Sequence, residues 1–274
     1  MKRTLFQLGS LLVSNLYFAT FYTRNIYQGW AKGLCIPFMN CYGCPLAVVS
    51  CPIGSLQHFT IIKVVPFFLL GFFGIVGAFV GRMACGWICP FGFFQELLYK
   101  VKTPKIYPPK ILNYLKYPVL VILTILIAYW LGEPWFCKLC PVGTLEASIP
   151  LVIWNPPGGI FAQGGTIINK LEFLFYIKMV ILFGFVALNF FIKRPFCRYA
   201  CPLGAIYSFF NKFSFYRLEV DSKNCSLCNY CLKDCPMDLT VYEELNDTDC
   251  IRCLKCTKCP EVNLTNIFEK SHFK

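Results

Sequence analysis

Eighteen cysteines in 274 residues, most of them in short Cys-x2-Cys or Cys-x3-Cys clusters that end in proline, constrain this chain more than any other feature. Cysteines at such density stitch small secreted domains through disulfides, but those domains lack long apolar runs, so clustered metal ligation is the better reading here. The composition agrees: 57% of residues are hydrophobic and only 15% charged, too few polar groups to cover a globular surface in water. The net charge of +12 sits beside the apolar runs rather than in one basic stripe, which argues for membrane orientation and against nucleic acid as a partner.

Four apolar stretches suit the roughly 30 Å of hydrocarbon that about 20 helical residues cross: about Leu5 to Tyr22, Ile61 to Val80, Pro118 to Leu131 and Phe173 to Ile192. No small-x-small cleavage site follows Phe18-Ala19-Thr20, so the first is read as an uncleaved anchor. Lys2, Arg3, Arg82, Lys100, Lys102, Lys105, Lys110, Lys116, Lys193, Arg194 and Arg198 fall on one side of a four-span chain, and that side is expected to be cytoplasmic. Two domains follow: residues 1–215, a four-helix transmembrane bundle with a short half-helix after each span, and residues 216–274, a small α+β module at the cytoplasmic face with too few residues for a core of its own.

The module carries the strongest motif. Cys225-x2-Cys228-x2-Cys231-x3-Cys235-Pro236 is a bacterial ferredoxin run, in which three close thiolates wrap one cubane and the fourth crosses to the other. The second run is Cys250-x2-Cys253-x2-Cys256-x2-Cys259-Pro260. By that rule Cys225, Cys228, Cys231 and Cys259 hold one [4Fe-4S] cluster, and Cys235, Cys250, Cys253 and Cys256 the other. Zinc knuckles share the Cys-x2-Cys spacing but not two crossing sets of four.

A tetrapeptide Cys-Pro-x-Gly follows each span, at Cys51, Cys89, Cys140 and Cys201. Proline suits a first helical turn, so each cysteine is expected at a helix start, where free N–H groups favour thiolates and an anionic cluster. Cys85-x3-Cys89 and Cys197-x3-Cys201 share the cytoplasmic face and are expected to hold one further [4Fe-4S] cluster, against the plainer reading of cysteines that only pack. The outer face has Cys35, Cys41, Cys44, Cys51, Cys137 and Cys140. Cys41-x2-Cys44 and Cys137-x2-Cys140 mirror one another and are the first choice for an outer cluster. That leaves Cys35 and Cys51 unassigned between three readings: a disulfide of the two, a division of all six between two clusters completed by a non-cysteine ligand such as His58, or a face that holds only disulfides.

Cys85-Gly-Trp-Ile-Cys89-Pro90, Cys197-Arg-Tyr-Ala-Cys201-Pro202 and the eight module cysteines resemble the NapH family of membrane polyferredoxins, and are similar to the membrane parts of NosR and CcoG proteins. The resemblance covers nearly the whole chain, and the outer cysteines depart from it. It implies an electron-transfer subunit of a prokaryotic inner-membrane oxidoreductase complex rather than a complete enzyme, working between the quinone pool or cytoplasmic donors and redox partner subunits, often periplasmic reductases. Gln57, His58, Gln95 and Glu96 are the candidate proton donors to a quinone. Two rivals remain: soft-metal handling like copper reduction, and a thiol–disulfide relay through Cys41/Cys44 and Cys137/Cys140. Gly158-Gly159 and Gly164-Gly165 lie in an apolar outer loop and form no phosphate or dinucleotide motif.

Overall fold

The computed structural model describes residues 2–23, 25–154, 173–221, 223–243 and 245–268. The glycine pairs of the outer loop lie outside these residues. The chain is mainly helical, with one small antiparallel sheet in the C-terminal module.

Among the described residues two helices are long and apolar enough to cross a membrane, Lys110–Leu131 and Phe173–Phe191. The second coincides with the expected fourth span. The first starts eight residues before the expected Pro118, because Pro109 stands at its N-cap and Pro118 falls within a run of helical backbone. It widens to π-helical turns over Val119–Leu126 and ends at Gly132, whose φ of +67° is the left-handed stop that glycine adopts without strain.

The other two expected spans are shorter helices. Lys2–Ser14 stops where side chains compete for its last carbonyls. Ser14 Oγ donates to Ser10 O at 2.8 Å and Asn15 Nδ2 to Leu11 O at 3.0 Å, and the chain then turns to pair Tyr17 N with Leu46 O. Phe67–Val80 starts only after Pro66, and residues 62–66 form a linker turned by Lys63 at φ 56°. At 1.5 Å per residue both are about 20 Å long.

Short helices begin at Pro52, Pro90, Pro141 and Pro202, each with the preceding cysteine as N-cap. Their inward residues Ile53, Phe91, Val142 and Leu203 join Phe38, Leu69, Phe73, Phe136 and Phe196 in one continuous core, which also holds Cys51, Cys85, Cys89, Cys140 and Cys201. Outward faces stay apolar: Phe67, Trp130 and Val180 are 79%, 74% and 71% exposed.

In the module, β1 (Tyr216–Val220) pairs with β2 (Val262–Asn266), in register from Tyr216 opposite Asn266 to Val220 opposite Val262. Leu218, Val241 and Val262 pack with Cys231 and Cys256 into a second, small core. The module is clamped to the helices by buried ion pairs. Asp249 takes Arg82 Nη1 at 3.2 Å, Lys116 Nζ and Asn113 Nδ2, the last at 2.8 Å. Asp238 takes Lys193 at 2.8 Å and Arg198 at 3.2 Å. Glu96 takes Arg3 at 2.6 Å and Arg194 at 2.8 Å, and reaches Lys255 of the module at 3.5 Å. Arg82, Lys116, Arg194 and Arg198, which the sequence offers as topology signals, are therefore internal counter-ions.

Candidate iron–sulfur sites

The two module runs fold alike. Leu227 and Asn229 flank Cys228 with φ 52° and 59°, and Arg252 and Leu254 flank Cys253 with φ 44° and 57°. This left-handed backbone turns successive N–H groups toward the sulfurs, a local nest for an anion. Cys225, Cys228, Cys231 and Cys259 line one cavity, and Cys235, Cys250, Cys253 and Cys256 line another. The crossing of Cys235 and Cys259 between the runs is thus present in the geometry.

Cys85, Cys89, Cys197 and Cys201 are all buried and within electrostatic reach of one another. Two arginines, each three residues before the first cysteine of its pair, brace the set reciprocally. Arg82 Nη2 donates to Cys197 O at 3.2 Å, and Arg194 Nη1 donates to Cys85 O at 3.1 Å. Each lies against the glycine of the opposite Cys-Pro-x-Gly, where a Cβ on Gly204 would come 3.1 Å from Arg82 and one on Gly92 would come 2.9 Å from Arg194. Gln95 Nε2 donates to Cys197 Sγ at 3.1 Å, and Gly204 N to Cys201 Sγ at 3.3 Å.

On the opposite side of the core the structure assembles Cys41, Cys51, Cys137 and Cys140 around one cavity, all mutually within electrostatic reach. The cavity lining includes Cys51 and not Cys44, where the first-choice set had Cys44. A tight turn, closed by Cys44 N on Cys41 O at 3.0 Å, carries Cys44 past the cavity, and the chain returns seven residues later to deliver Cys51 at a helix start. Cys35 and Cys51 form no disulfide, and the Cys35 Sγ lies 3.5 Å from Ser55 Oγ.

The quinone candidates divide. Gln57 is fully buried, with Oε1 accepting from Cys137 N at 3.1 Å. Gln95 Oε1 likewise accepts from Phe196 N at 3.2 Å. Burial opposes ionisation of Glu96, but Arg194, Arg3 and Lys255 outweigh it and hold its carboxyl down at about 2. None of the three is free to give a proton. His58 alone lines an open cavity of about 350 Å³, with Tyr42, Ser50, Ser55, Cys51 and Cys137.

Sequence reasoning missed Glu146, whose Oε2 accepts from Cys41 N at 2.7 Å. The signal was available, because Gln57, Gln95 and Glu146 are each the sixth residue after a Cys-Pro cysteine and each reaches the partner half-site's cysteine loop. It also missed the Arg-x2-Cys-x3-Cys-Pro repeat that sets Arg82 and Arg194.

The donor sets suit iron–sulfur clusters. Each site offers four soft sulfurs, with Cys51, Cys89, Cys140 and Cys201 at helix starts and the module cysteines beside nests, and the inner set has two fully buried guanidiniums whose Nε atoms lack a protein partner among the described residues, a positive surround for an anionic group.

The 4Fe-4S binding domain family matches residues 62–108, 117–147 and 174–217, which contain the inner cysteines and Cys137 and Cys140. The uncharacterized protein MJ0750 of Methanocaldococcus jannaschii is 34% identical over 183 residues, 63% of this chain and 66% of that protein. MJ0749 of the same organism is 30% identical over 209 residues, 73% of this chain and 70% of that protein. The candidate electron transport protein YccM of Escherichia coli is 22% identical over 177 residues, 63% of this chain and 46% of YccM. The chain thus spans about two thirds of its archaeal relatives and under half of YccM. No solved structure matches it. With thiols gathered in fours and the 4Fe-4S binding domain laid over its helices, the chain belongs to the family of M. jannaschii MJ0749 and carries a 4Fe-4S binding domain.

Proposed function

We propose that this chain is a NapH-type membrane polyferredoxin, an electron-conducting subunit that crosses a prokaryotic cytoplasmic membrane four times and carries four [4Fe-4S] clusters. Cys225, Cys228, Cys231 and Cys259 hold the first, and Cys235, Cys250, Cys253 and Cys256 the second. Cys85, Cys89, Cys197 and Cys201 hold the third, at the inner surface. Cys41, Cys51, Cys137 and Cys140 hold the fourth, at the outer surface. Each cluster stores and releases one electron.

One observation carries the reading: the four sets of thiols form a connected series. The second set touches the third at Gly86, where an added Cβ would collide with Ile251 O and lie 3.4 Å from Cys253 Cα. Trp87 Nε1 bonds Arg252 O across the same seam at 3.1 Å. The third and fourth sets share one apolar core. The buried arginines offset negative charge at the inner set, and the backbone donors hold the sulfurs without proton chemistry.

The exposed apolar belt and the two long helices support the membrane setting, with the shorter helices Lys2–Ser14 and Phe67–Val80 crossing together with the half-helices stacked at their ends. The module lies on the cytoplasmic side, and redox partners dock on one or both faces. A quinone is a second, compatible ligand. The cavity of about 350 Å³ beside His58 supports it, because its wall includes Cys51 and Cys137 of the fourth set.

Iron and acid-labile sulfide on anaerobically purified protein test the proposal. About sixteen irons per chain are expected at four per cubane, whereas about eight would confine the clusters to the module and sink the wire.

A further inference from the structure

In three of the four Cys-Pro units the sixth residue after the cysteine, Gln57, Gln95 or Glu146, spans the site and takes a backbone N–H beside the partner's cysteine. In the fourth unit, begun by Cys201, that residue is Tyr207. It shares the continuous core with Cys85, Cys201 and Cys51, and it lies within electrostatic reach of Cys85 foremost, then Cys51, Cys35 and Cys201. The Cys85 N–H is not available to it, being committed to Arg82 O at 3.0 Å. Tyr207 is fully buried, packed edge-on against Phe73 with ring centroids 6.1 Å apart. Among the described residues its Oη has no hydrogen-bond partner. A hydroxyl so placed carries a desolvation penalty that phenylalanine would avoid, so its retention points to an acceptor that the polypeptide does not itself supply.

We propose that Tyr207 is the fourth cross-site brace and that its Oη–H donates to a sulfur of the group held by Cys85, Cys89, Cys197 and Cys201. This rests on the cluster assignment above. Tyr207 is a positioning and tuning residue: a donor to sulfur stabilises the more negative, reduced state, and the ring fills the core between the inner and outer sets.

The test is an EPR-monitored redox titration of the full-length protein, anaerobic in detergent, comparing wild type, Tyr207→Phe and Phe73→Leu. Tyr207→Phe is expected to retain wild-type iron and to lower one midpoint, with about a tenfold loss in the reduction equilibrium, about 59 mV for a one-electron couple. Phe73→Leu disturbs the packing without touching the hydroxyl and is expected to leave that midpoint in place. Unmoved midpoints in Tyr207→Phe, with about sixteen irons in the wild type, overturn the proposal and leave the wire intact. A wild type with about eight irons overturns the cluster assignment first. If Tyr207→Phe does not fold, 3-fluorotyrosine at 207 decides: its more acidic hydroxyl is a stronger donor and must raise the same midpoint, and an unmoved midpoint overturns the proposal.

Discussion

The inner and outer cysteine sets are built from the same parts and set in different charge. Both take a cysteine from the N-cap of each of two Cys-Pro helices, and both are braced across by the sixth residue that follows. Around the inner set that scaffold is filled with fully buried Arg82 and Arg194. Around the outer set it holds Glu146 on Cys41 N, with Lys32 and Lys178 within electrostatic reach of the thiols. One local geometry thus serves two electrostatic surrounds. Cationic charge stabilises a reduced cluster, so the inner site should have the higher potential of the two.

The largest test of this contrast is to remove each site in turn. Cys89→Ala and Cys140→Ala should each lower the iron count by about four and abolish different EPR signals. Identical residual spectra would mean that the two sets are not separate sites.

Arg82→Gln should destabilise the fold by about 3–5 kcal/mol, because it leaves Asp249 partly uncompensated in a buried pair. Chemical denaturation measures that loss, and a redox titration should show the inner midpoint falling. Burial pushes the Glu146 carboxyl up to about 7, so Glu146→Gln, which keeps an acceptor for Cys41 N–H, removes a full negative charge only above that pH and should raise the outer midpoint there. Shifts of the same sign in both variants would break the comparison.

Gly86→Ala should act at the seam between the inner set and the module and leave the outer set alone. Its new methyl must push Ile251 away, at a cost of about 1–3 kcal/mol, and weaken the magnetic interaction between the inner cluster and the module. Unchanged spin–spin broadening in EPR would separate that contact from electron transfer.

The smallest effect is on acid stability. Glu96 has a folded pKa near 2, below its unfolded range, so its stabilising contribution is complete above about pH 4.5 and is lost as pH falls toward 2. Acid titration of wild type against Glu96→Gln should show the two stabilities converging over that interval.

How far the chain could be read depended on whether the decisive contacts were local. The Cys-x2-Cys-x2-Cys runs brought their own turns, with left-handed residues at matching positions, so the two module sets were legible from spacing. Proline after cysteine likewise placed four N-caps. Span ends were less legible, because hydropathy does not register that Pro66 delays one helix or that Ser14 and Asn15 end another.

By itself the sequence determined that thiols would gather at helix starts and in tight runs, since proline, glycine and cysteine act within a few residues. Only the tertiary structure decided which gatherings meet. Cys51 displaces Cys44 because the chain doubles back between them, and the basic residues Arg82 and Arg194, which resemble loop signals, turn inward to face opposite half-sites. Such choices belong to contacts between residues far apart in sequence, over 100 positions for the arginine braces, and local propensity carries no record of them.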